Sequence, residues 1–185
     1  VLIMLVFFGM GLQKGISAIS GNLIGAKRAE EIPDLVHSGL KLIGLYGFIT
    51  SFFIFLLQDQ IFQLFLSDFM NDSPSSFEGK PFNHQTLNNL LTFGLVVQVF
   101  YLLFENLRLA YVGVLSAAGD TLYVMVAGVI SIWLFLLAPT LLIMYLGLAT
   151  VKISLCIWIL FSFIAFLIYY RRYKLGFWKK KSLIS

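Results

Sequence analysis

The apolar positions of this chain lie in long unbroken blocks, with polar residues gathered between them. A surface helix would alternate faces every three or four residues and a half-buried strand every two. Blocks of about 20 apolar residues match the roughly 30 Å hydrocarbon layer of a bilayer at 1.5 Å per helical residue. Five spans are expected, over 1–26, 36–57, 87–114, 122–148 and 151–170. The first is apolar only to Leu12 and then turns small and polar. The fourth is interrupted by Pro139, which lacks a backbone donor and predicts a kink. The fold class expected is all-α, a polytopic membrane helix bundle of about five transmembrane helices.

Between the second and third spans, 58–86 is the longest polar stretch, centred on Asn71, Asp72, Ser73, Pro74, Ser75 and Ser76. It reads as an exposed loop, with 61–66 as an interfacial extension of a helix. Residues 171–185 read as a basic tail.

Composition supports the same class. The chain is 59% hydrophobic and 12% charged, with a mean hydropathy of +0.92, against about 25% charged in an ordinary soluble domain. The pI near 9.2 does not point to nucleic acid, because the basic residues flank spans. Lys27, Arg28, Lys41, Arg108, Arg171, Arg172, Lys174, Lys179, Lys180 and Lys181 all fall on one side if the spans alternate. That side is expected to be cytoplasmic and to hold the C-terminus. Lys80 and Lys152 fall opposite, with the acidic long loop. The chain opens at Val1 inside an apolar run, which leads us to expect a piece cut from a longer protein.

Few residues inside the spans can carry chemistry. Gly11 and Gly15, and Gly21 and Gly25, have the spacing that lets membrane helices approach closely. Gln13, Ser17 and Ser20 form a polar stripe, fit either for helix contact or for lining a cavity. Lys14 is the one basic residue deep in a span, where charge is costly and commonly has a partner or a task. Glu105 is the one acidic residue there. A carboxyl in that setting can exchange a proton for a cation, as an antiporter requires; alternatively it forms an i,i+3 pair with Arg108 that holds the helix. Gln98, Tyr101 and Asn106 offer further polar contacts nearby. Cys156, the single cysteine, reads as a packing residue.

Enzyme classes find no support. The sequence has no G-x-x-x-x-G-K-[ST] loop, no H-E-x-x-H and no G-x-S-x-G, and His37 and His84 fall on opposite expected sides. No cofactor and no protein-bound metal is expected.

Two stretches carry a family resemblance. Residues 15–26, G-I-S-A-I-S-G-N-L-I-G-A, precede a charged turn with Lys27, Arg28, Glu30 and Glu31. They resemble the G-x-x-x-A-x-S-x-x-x-G-N-x-x-G-A pattern of the MATE family of multidrug and toxin extruders. Residues 113–121, G-V-L-S-A-A-G-D-T, are similar to that family's G-x-L-R-G-x-G-D-T, with Ser116 and Ala117 in place of the arginine and glycine. Pro139 and a basic tail with Trp178 also fit.

The resemblance implies twelve spans in two six-helix lobes, of which this chain would supply spans eight to twelve, without span seven or the N-terminal lobe. It implies export of small organic cations or drugs across a bacterial inner membrane, coupled to H+ or Na+. In the NorM-like branch an acidic residue eight positions before the glycine of the second motif is implicated in coupling; here that position is Glu105, which would be the Na+ or proton site. The alternatives are a flippase for lipid-linked sugars in the same superfamily, with more cationic cavity residues of which Lys14 is the only hint, and a non-transporting membrane scaffold.

Overall fold

A computed structural model describes residues 2–63, 76–77, 80–81 and 84–180. The protein is a bundle of long helices. α1 spans Leu2–Gly25, α2 Ile32–Leu56 and α3 His84–Ala117. α4 spans Thr121–Ile132, α5 Ala138–Tyr145 and α6 Val151–Lys174. Among the described residues, four stretches are long and apolar enough to cross a membrane, namely Ala29–Leu56, Leu87–Ala117, Thr121–Tyr145 and Val151–Lys174. α1 is a continuous helix of 24 residues at the place of the first expected span and is not among those four; its second half carries Gln13, Lys14, Ser17, Ser20 and Asn22.

Burial confirms the solvent for which these helices are built. In the most apolar window of Thr121–Tyr145 only 6% of the residues are buried, and Phe48, Met125, Trp133 and Leu141 are all well exposed. Such a surface suits acyl chains and would not suit water. The chain is therefore a multi-pass membrane protein.

The helices alternate in direction, as contacts along their lengths establish. Gly9 lies against Asn106 and Gly113 against the Gln13 backbone, so α1 and α3 run the same way. Gly39 meets Ile16 while Tyr46 stacks on Phe8, so α2 runs against α1. Tyr101 meets Trp158 and Tyr111 meets Tyr170, so α3 and α6 are parallel. Asp120 meets Arg172 and Val124 meets Tyr169, so α4 opposes α6. One end of the bundle consequently gathers the turn after α1, the α3–α4 turn and the end of α6.

α3 is the central element, packed against α1, α2 and α6. Its residues Leu109, Ala110, Tyr111, Val112, Val114 and Leu115 are all buried, as befits a helix apolar on every side. Ile16, Ile32, Val36, Ile43, Tyr169 and Trp178 join this core.

Three helix ends share one chemistry. After α1, α3 and α5 a residue with positive φ turns the chain, and the next amide donates back five residues: Arg28 to Leu23, Asp120 to Leu115, Leu148 to Ile143. This satisfies carbonyls left open at the helix end. Gly119 and Gly147 take the left-handed position after α3 and α5, but after α1 it is Lys27, at φ 58.

Several expectations need adjusting. α6 continues through Lys174, and Phe177–Lys180 forms a 3-10 turn, so the tail expected from 171 is structured to residue 180. Gly176, at φ 68, turns the chain so that buried Trp178 donates its indole N–H to the Tyr173 carbonyl. The long loop starts with helical residues 58–63, and Ser76–Phe77 pairs antiparallel with Lys80–Pro81. Its expected centre at 71–75, and residues 64–66 of the interfacial extension, lie outside the described residues. Pro139 follows a π turn at Trp133–Leu137. In that wider turn the Ala138 amide donates five residues back to the Trp133 carbonyl, a local widening of the helix just before a residue that has no amide to give.

Candidate functional site

Glu105 sits on α3 twelve residues before Ala117, about 18 Å along the helix by its rise of 1.5 Å per residue. It is buried, at 8% exposure. Both carboxylate oxygens are engaged: Arg108 Nε donates to Oε2 at 3.0 Å, and Arg108 Nη2 donates to Oε1. The i,i+3 spacing puts the two side chains on one helix face, and the guanidinium fork matches the carboxylate plane. The ion-pair alternative for Glu105 is thus what the geometry displays.

Arg108 also reaches a second helix. Its guanidinium carbon lies 5.7 Å from the centre of the Tyr169 ring on α6, within cation–π range. Tyr169 is buried, and its hydroxyl donates to the Val124 carbonyl of α4 at 2.9 Å. That oxygen sits against Gly128, where a methyl group would stand 3.2 Å from it. Glu105 is thereby connected through Arg108 and Tyr169 to the backbone of α4.

The other expected site residues divide between two faces. Helical spacing puts Gln98 and Tyr101 on the Glu105 face of α3. Tyr101 packs on Trp158 of α6 with ring centres 5.7 Å apart, while the Gln98 amide nitrogen is buried without a hydrogen-bond partner. Asn106 faces away from Glu105. Among the described residues its Oδ1 has no hydrogen-bond partner, and it lies where a side chain on Gly9 of α1 would have to go. It also lines a cavity of about 270 Å³ between α2 and α3, with Tyr46, Thr50 and Ser51. That volume falls just short of the roughly 300–1,000 Å³ of usual ligand sites.

On α1 the stripe only partly turns inward. Ser20 is fully buried with its hydroxyl unpartnered, and Gln13 and Ser17 are half-buried. Lys14 is exposed, and among the described residues no ion pair joins it to Glu105. The glycine pairs also behave differently from expectation. Around Gly11, Gly15, Gly21 and Gly25 nothing lies within 4 Å of an added methyl group. The close approaches are made at Gly9, Gly39 and Gly113, where a methyl would meet Asn106, Ile16 and the Gln13 carbonyl. Spacing marks small residues, but only the partner helix decides which of them are crossed.

Sequence reasoning missed a second ion pair. Arg172, expected in the tail, donates from Nε to Asp120 Oδ2 at 2.7 Å and from Nη2 to Oδ1 at 3.2 Å. Its guanidinium also lies 4.4 Å from the centre of the Tyr123 ring. Asp120 stands at the N-terminus of α4 without capping it by its side chain. The available signal was the G-D-T triplet itself, an acid placed at a turn on the basic end of the bundle.

The chain is a membrane helix bundle with buried ionic and polar groups on its central helix. The family model for MatE matches residues 1–142, and the chain belongs to the MatE family, whose members are transporters and not enzymes. Neither the curated proteins nor the solved structures gave a match.

Proposed function

We propose that this chain is part of a secondary active transporter that exports small organic cations or drugs by exchange with H+ or Na+. In this reading the helices work with an N-terminal lobe of the same protein, in a bacterial inner membrane with the C-terminal end cytoplasmic. The observation that carries the reading is Glu105, a carboxylate buried within a spanning helix. Intramembrane acids are expensive, and ion pathways and proton relays are among the tasks that retain them. A cation bound at Glu105 changes the balance between inward- and outward-open states only through unequal affinity for the two. The connection from Glu105 through Arg108 and Tyr169 to α4 supplies groups whose arrangement would differ between such states.

The test is ethidium efflux from cells expressing the complete reading frame, with and without Glu105→Gln at equal membrane abundance. Gradient-dependent efflux that collapses in the variant is the expected result. No efflux from the well-expressed intact protein would overturn drug export and turn attention to a lipid-linked sugar flippase. Full efflux from Glu105→Gln would remove Glu105 from coupling.

A further inference from the structure

We propose that Arg108 is a tethered counter-ion that occupies Glu105 until the coupling cation displaces it, passing the event to α6. This rests on the reading of Glu105 as the coupling site. Three observations carry it. The guanidinium meets both oxygens of the carboxylate, so a proton or Na+ arriving there competes with that fork for the negative charge. The pair is shielded, with side-chain exposures of 22% for Arg108 and 11% for Glu105, so water screens it little. Arg108 already lies over the Tyr169 ring of α6, where a guanidinium released from the carboxylate keeps a partner.

The consequences follow from charge. With Arg108 in place, Glu105 holds its neutralising charge internally and the cation must compete for it. Once the cation binds, Arg108 remains protonated, being charged at any accessible pH. Its surplus charge then falls on the α6 face, where Tyr169 holds the Val124 carbonyl of α4. The titratable groups near Glu105 are Tyr101 and Arg108 on its own helix and Tyr169 from α6. Arg108 is the cation among them. A coupling acid with a built-in competitor binds its cation less tightly and releases it more readily, which suits a carrier that must discharge the ion on the opposite side.

The experiment follows occupancy of the Glu105 carboxyl by infrared spectroscopy of the purified full-length protein as acid or Na+ is added, the band being assigned by its loss in Glu105→Gln. The titration is repeated in Arg108→Gln and Arg108→Lys, with and without Na+. Removing an adjacent positive charge strengthens the hold of a carboxylate on a cation by about tenfold or more. The midpoint in Arg108→Gln is therefore expected at a lower cation concentration than in the unaltered protein, by about tenfold or more. Arg108→Lys keeps the charge but loses the fork, and should shift in the same direction by less; it serves where the glutamine variant fails to fold.

An unchanged midpoint in a folded variant overturns the counter-ion role and leaves Arg108 as a brace. Loss of efflux in Glu105→Gln together with that unchanged midpoint would sink this inference alone. Full gradient-driven efflux from Glu105→Gln would sink the coupling reading with it.

Discussion

Asp120 and Arg172, 52 residues apart, join the start of α4 to the end of α6 through two hydrogen bonds of 2.7 and 3.2 Å. Asp120 is 1% exposed, so its charge depends on this partner. Arg172 is more open, with its side chain 21% exposed, so loss of either member costs about 1–3 kcal/mol. Asp120→Asn and Arg172→Gln should each lower the thermal midpoint of the purified full-length protein in detergent. Arg172→Lys should cost less than Arg172→Gln, since it keeps the charge while losing the fork. Equal loss in both arginine variants would show that the fork geometry, not the charge, secures the contact.

The crossing of α1 and α3 gives a sharper contrast. A methyl group at Gly113 would stand 2.7 Å from the backbone oxygen of Gln13, which cannot swing aside as a side chain could. Gly113→Ala is expected to cost about 1–3 kcal/mol, as overpacking does. Gly15→Ala has nothing within 4 Å and should be neutral, or favourable by up to about 1 kcal/mol through helix propensity. Unfolding of the two variants side by side checks this. A clear loss at Gly15 would mean that a surface outside this chain packs there.

What the sequence could reveal depended on which interactions are local. Block hydrophobicity placed the second, third and fifth spans close to their observed bounds, because bilayer thickness sets helix length directly. The Glu105–Arg108 pair was legible as an alternative because three-residue spacing puts both on one face. The Tyr169–Val124 bond and the Asp120–Arg172 pair were not legible, since both depend on how α6 lies against α4. The Gly11–Gly15 spacing did not mark the crossing seen among the described residues, which falls at Gly9 and Gly113. Local spacing cannot report which face a neighbour selects.

The turn after α1 stores a small strain that can be removed. Lys27 occupies the left-handed position at φ 58, where α3 and α5 have Gly119 and Gly147. A side chain there costs roughly 1–2 kcal/mol relative to glycine. Lys27 is exposed, so the substitution removes no buried contact. Lys27→Gly should stabilise the protein by about 1 kcal/mol, and Lys27→Val should destabilise it, because a β-branched residue fits this region worst. Chemical denaturation of the purified protein would measure both. No gain from glycine would show that the lysine charge at the helix C-terminus offsets its backbone strain.

Tyr169 and Gly128 allow a test in which two harmful changes should partly cancel. The Tyr169 hydroxyl donates to the Val124 carbonyl at 2.9 Å, and the same oxygen would stand 3.2 Å from a methyl group at Gly128. Tyr169→Phe loses one buried hydrogen bond, about 1 kcal/mol, while the ring remains in place. Gly128→Ala crowds the hydroxyl and either pushes the ring or stretches its bond to Val124. In the double variant the hydroxyl that clashes is absent, so the methyl enters the space it leaves. The combined loss should therefore be smaller than the sum of the single losses by roughly 0.5 kcal/mol or more, as expected for residues in contact. Strict additivity in a double-mutant cycle of unfolding would mean that the tyrosine hydroxyl does not set the spacing of α4 and α6. The same cycle scored by efflux would report whether the α6–α4 contact contributes to transport, because Arg108 lies on this ring.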